Sequence, residues 1–88
     1  MNFEAIFRVP PSHRLEQVRS GARAGPVAAT FWLHEEYDAS GRLVARYESF
    51  REHDARTGAV QSGWRKYAAS GALLATSETL PLSEMSAA

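Results

Sequence analysis

From Thr30 onward the apolar residues come in short alternating runs separated by glycine-bearing turns. Segment 37–50, YDASGRLVARYESF, laid over segment 67–80, YAASGALLATSETL, agrees at seven of fourteen positions at an offset of thirty. Each copy has a Tyr, a polar stretch, a Gly four residues on, and then Leu and Ala alternating with other residues. That is the pattern of a strand, a turn and a returning strand. Gly41 and Gly71 fit the left-handed position that closes a type I turn with a bulge, where a Cβ is strained. Asp54 to Gly58 supplies a third turn of the same chemistry. The pattern predicts a four-stranded antiparallel meander, with strands near 30–38, 42–53, 59–68 and 72–80 joined by three tight hairpin turns.

Upstream, Phe3, Ala5, Phe7 and Val9 alternate with Glu4, Ile6 and Arg8, which predicts a strand over 2–9 ended by Pro10 and Pro11. Ser12 then suits the N-cap of a short helix over 13–20, with Leu15 and Val18 on one side and Gly21 as its stop. The small, Pro- and Gly-punctuated stretch 21–30 is expected to connect this helix to the meander. The fold class expected is therefore α+β, mainly β. Residues 1–82 form one domain in this reading, and 83–88 a flexible C-terminal tail.

Register counted from the first turn places Tyr37 opposite Leu43 and Leu33 opposite Tyr47, on a face that is nearly continuous hydrophobe. The other face then takes Trp32, His34, Glu36, Val44, Arg46, Glu48, Phe50, Trp64, Leu74 and Leu80. A sheet with one wet face alternates more cleanly than this. Either a partner covers this face or the register is off by one; the first is the reading taken, so the mixture of large aromatics and charge marks an interaction surface, with Trp32 and Trp64 equally suited to be the main core. The expected contacts are Trp32, Phe50 and Trp64, with Arg46 and Arg65 as polar anchors. A domain of this size holds only roughly 3–5 kcal/mol of stability from one small core, so covering that face in a homodimer would help it.

Charge and composition narrow the partner. Ten basic residues balance ten acidic ones, and all the basic residues except Lys66 are Arg. That balance lacks the basic excess of a non-specific DNA binder. Between Arg42 and Lys66 six basic residues meet three acidic ones. This leaves single-stranded nucleic acid as the alternative partner, held by Arg42, Arg56 and Lys66 beside the aromatics. There is no cysteine, so disulfides, thiol chemistry and Cys-held zinc are excluded. No run is long or apolar enough for a leader or a membrane span, and the cytoplasm is the expected location.

Catalytic and metal chemistry find no pattern to stand on. His13, His34 and His53 have no ligand spacing and are expected as solvated surface residues. Glu36 and Glu48 are expected to pair across strands with Arg46 and Lys66. No nucleophile elbow or phosphate-cradling glycine loop is present. The sequence thus predicts no catalytic residue, no metal and no cofactor. A small enzyme subunit or ligand-binding domain, with a site formed only at a dimer interface, is a third and weaker reading.

The string GWRKYAASGALL at 63–74 resembles the variant MORN-type hairpin repeat, in which Gly, Trp, a basic residue and Tyr precede a polar Gly turn and a Leu. EEYDASGRL at 35–43 resembles the same repeat and equally the YD-type repeat. Ser40 and Ser70 stand where the repeat usually has Asn, and ARTGAV departs from it. The resemblance covers about half the chain and implies β-hairpin arrays that bind or scaffold, some of them antitoxin-like. It carries over no catalytic residue. The function expected is a non-enzymatic protein-binding module, of the kind that includes inhibitors and antitoxin-like accessory proteins.

Overall fold

A computed structural model describes residues 2–77, and 83–88 together with Leu80 lie outside them. The described chain is mainly β. One short helix, α1 (Phe3–Phe7), precedes five strands: β1 (Arg14–Arg23), β2 (Val27–Tyr37), β3 (Leu43–Asp54), β4 (Val60–Ala68) and β5 (Leu73–Thr76). The strands form one open antiparallel sheet in chain order.

The three expected turns form. Gly41 N–H donates to the Asp38 carbonyl at 2.9 Å, and Gly71 N–H to the Ala68 carbonyl at 2.8 Å. Both glycines have positive φ, 87° and 100°, which explains why the repeat keeps Gly there. In the middle turn Gly58 N–H donates to the Asp54 carbonyl at 2.7 Å.

Two local expectations exchange places. The strand expected over 2–9 is the helix α1, capped by the Asn2 side chain, which accepts from Ala5 N–H at 3.2 Å. Phe3 and Phe7 stand four apart and so share one side of a helical turn. In a strand they would share a face as well, and alternation alone did not distinguish the two. The helix expected over 13–20 is instead part of β1. A two-turn helix has almost no stability of its own, whereas the eleven-residue β2 offers a full edge of backbone hydrogen bonds to a neighbour. Arg14, Arg19 and Arg23 keep this new edge charged, which discourages further strand addition.

The face assignment also changes. Tyr37 does face Leu43, but Glu36 faces Ala45, so Val44 is an extra residue in β3. This bulge shifts every later pair by one. His34 now faces Tyr47, Trp32 faces Ser49, and Trp64 lies on the far side of Ser49. Trp32, His34, Glu36, Tyr47, Ser49, Trp64 and Lys66 therefore share one face. Phe31, Leu33, Glu35, Arg46, Glu48, Phe50 and Arg65 share the other.

α1 packs on the first of these faces. The Phe7 ring stacks on Tyr47 at 4.0 Å between centroids and meets Trp64 edge-on at 5.5 Å. Phe3 lies 5.3 Å from Trp32 and 4.3 Å from His34. Phe7, Ala45 and Tyr47 are the buried centre, with Phe3, Val9, Leu15, Val44 and Trp64 around it.

A candidate binding groove beside the N-terminal helix

The covered face divides into two halves along the strands. Toward Tyr37 it is closed by polar as well as apolar contacts. The buried Glu36 carboxylate accepts from the Tyr47 hydroxyl at 2.6 Å and meets His13 Nδ1 at 2.5 Å. Burial, followed by that hydrogen bond, raises the Tyr47 phenol well above its usual range. These contacts tie the segment before β1 to the centre of the sheet, and they leave the Glu36 oxygens occupied. Expectation and structure differ here, because Glu36 pairs with neither Arg46 nor Lys66. Lys66 lies over the Tyr47 ring at 5.7 Å.

His34 is 3% exposed, sits against Phe3 and leaves Nδ1 without a partner. Burial lowers its pKa, which favours the neutral ring. The expectation of three surface histidines therefore fails at His34, and at His13, which is half-buried against Glu36. His53 is exposed. Among the described residues no cluster of His, Asp or Glu is arranged to hold a metal.

Toward the other end α1 stops and the sheet continues. The last row it covers is Trp32, Ser49 and Trp64. Next come Thr30, Arg51 and Ser62, and then Ala28, His53 and Val60. These two further rows extend about 13 Å at the usual strand rise. The step from helix to bare sheet leaves a groove of about 530 Å³, bordered by Phe3, Ile6, Trp32, Ser49, Arg51, Val60, Ser62 and Trp64. Its volume is in the range of ligand pockets, roughly 300–1,000 Å³. Ser49, 8% exposed, carries a buried Oγ with no hydrogen-bond partner. Ile6 and Val60 are 41% and 52% exposed at the rim.

The expected contact residues are distributed over this geometry. Trp32 and Trp64 border the groove. Phe50 leaves the sheet on the opposite side and borders the groove beside Gly63, where a Cβ would stand 3.0 Å from its ring. Arg46 and Arg65 lie on the opposite face, where Arg46 pairs with Glu35 at 3.4 Å and Arg65 faces Glu48 across the strands. The residues expected to hold nucleic acid are separated. Arg42 and Arg56 stand at opposite ends of the twelve-residue β3, about 40 Å apart by strand rise, and Arg56 is engaged by Asp54.

Sequence reasoning missed Phe3, Ile6, Ser49, Arg51, Val60 and Ser62. Asn2 before a Phe pair spaced by four was the available sign of the helix. The bulge at Val44, which brings Ser49 between the tryptophans, is marked only by the repeat, where a second apolar residue and then Ala follow the Leu after both turns.

The fold and groove define a small antiparallel β-sheet domain with a partly covered aromatic face. Set against protein-family models, curated proteins and solved structures, the chain matches none. Among the described residues no helix is long and apolar enough to cross a membrane.

Proposed function

We propose that this chain is a small, non-enzymatic protein-binding module that takes a segment of its partner in the groove beside α1. The observation that carries the reading is the groove of about 530 Å³ where α1 stops, walled by Trp32 and Trp64 and rimmed by the exposed Ile6 and Val60. Aromatic walls around a desolvated centre are the usual make-up of binding hot spots. An inhibitor or antitoxin-like role in the cytoplasm, of the kind implied by MORN-type hairpins, suits a module this small. A homodimer through the same groove is the competing occupant.

Nucleic acid has less in its favour, since Arg42, Arg56 and Lys66 share no surface. The aromatic side chains beside Lys66 are already packed under α1.

Selection from a random-peptide display library tests the reading, with wild type compared to Val60→Asp. Val60 is half-exposed at the rim, so the substitution alters the groove while leaving the core intact. The expected outcome is a consensus that binds wild type at least about tenfold better than the variant. Binders indifferent to Val60→Asp, or no consensus at all, would remove the groove from the function.

A further inference from the structure

We infer that the partner segment is apolar and acidic, with a hydrophobic side chain lying against Trp32 and Trp64 and a carboxylate held by Arg51. This inference rests on the protein-binding reading and specifies the chemistry of the partner.

The argument begins with charge. Arg51 occupies the row directly beyond Ser49, and its cross-strand neighbours are Thr30 and Ser62. The next row holds Ala28, His53 and Val60, so neither exposed row supplies an acid. Among the described residues no carboxylate lies within ion-pair distance of Arg51. Arg14, Arg23, Arg46 and Arg56 each have an acid of their own, and among the described arginines without one, Arg8, Arg19, Arg42, Arg51 and Arg65, Arg51 alone borders the groove. An unpaired guanidinium at the mouth of an aromatic trough complements a ligand that is apolar at one point and anionic a few ångströms away. Guanidinium matches a carboxylate through two parallel N–H donors, which makes Arg the better reader of that group.

Shape favours a chain segment. The trough is closed by α1 at one end and runs out along the strands at the other, so an extended backbone can pass over the rim at Val60. The indoles at the α1 end and the guanidinium at the mouth set the direction in which a peptide lies.

The test uses the full chain and two end-blocked tetrapeptides, leucine-phenylalanine-aspartate-leucine and its asparagine counterpart, titrated by tryptophan fluorescence. The acidic peptide is expected to bind about fivefold tighter at low salt, which is about 1 kcal/mol, with the preference falling as salt rises. Arg51→Gln, at an exposed position, should erase the preference while the asparagine peptide binds as before. Equal binding of both peptides to wild type would overturn the acidic specificity and leave groove binding standing. Failure of both peptides would overturn the groove-binding reading as well. Two other occupants would each displace the proposal. One is a second copy, shown by a dimer mass in light scattering that saturating peptide does not change. The other is the chain's own C-terminal segment, shown if Leu80→Asp with Leu82→Asp strengthens binding of both peptides alike.

Discussion

Tyr37 faces Leu43 across the first repeat's turn, and Tyr67 faces Leu73 across the second's. Val44 is the extra residue of the first hairpin, and Leu74, thirty positions on, is the extra residue of the second. The repeat therefore encodes a bulge as well as a turn. What the two hairpins do with it differs. Val44 packs against the buried centre, whereas Leu73 and Leu74 are 54% and 55% exposed. At inner-face positions Glu36 and Tyr47 of the first hairpin correspond to Lys66 and Ser77 of the second. The first pair builds a buried hydrogen bond. In the second, Ser77 Oγ accepts from the Trp64 backbone N–H at 2.9 Å. The same backbone plan thus gives an anchored hairpin where α1 covers it and an exposed one where it does not. Turn chemistry specifies the geometry of a hairpin, and the covering layer determines its stability.

The strongest way to break this contrast is to remove the cover. Phe7 is 5% exposed and stacks on the fully buried Tyr47. Phe7→Ala is expected to cost roughly 3–5 kcal/mol, which is comparable to the whole stability of so small a core. Hydrogen exchange checks where the loss falls. Amides of β2 and β3 should drop toward the protection of β5. If they kept their lead, α1 would not be what distinguishes the hairpins.

A milder comparison uses the two bulge residues directly. Val44→Ala removes two methyl groups from a partly buried contact and should cost about 1 kcal/mol in urea unfolding. Leu74→Ala removes more carbon from an exposed position and should stay within about 0.5 kcal/mol. Equal costs would mean that bulge geometry, rather than packing, sets the value of the residue there.

The same contrast shows how much could be read beforehand. The turns and the meander are local, and short-range signals such as Gly41, Gly58 and Gly71 carry them. The exchange of helix and strand before residue 24 is different in kind. Leu15 and Val18 suit a helix in isolation, but β2's open edge takes the segment, and that edge is a tertiary fact. The groove was only partly legible for a related reason. Trp32 and Trp64 were singled out as large aromatics, yet their company depended on register. One residue inserted at Val44 moved Arg46 to the opposite face and brought Ser49 and Arg51 into line with the indoles. The repeat held the clue, since a Leu followed by a second apolar residue and then Ala occurs after both turns.

The smallest and most specific test transfers one side chain between the hairpins. Asp38 Oδ1 accepts from Ser40 N–H at 2.9 Å, from the Ser40 hydroxyl at 2.6 Å and from Arg42 N–H at 3.0 Å. The second turn has Ala68 in that place, followed by Ser70 and Ala72, so its donors are present without their acceptor. Ala68→Asp should supply the acceptor and raise Tm by about 2 °C. Its pH dependence follows from Asp38. The Ser40 hydroxyl first, and then the Arg42 N–H, hold the Asp38 carboxyl below its ordinary range. A folded pKa depressed in this way contributes stability above the unfolded value of about 3.9 and loses it as pH falls through the folded value. The gain from Ala68→Asp should therefore be present at neutral pH and disappear in acid, so that variant and wild type melt together once the pH has fallen below the folded value. A gain that persisted in acid would come from helpful turn propensity rather than from the carboxylate. The first hairpin's advantage would then rest on packing under α1 alone.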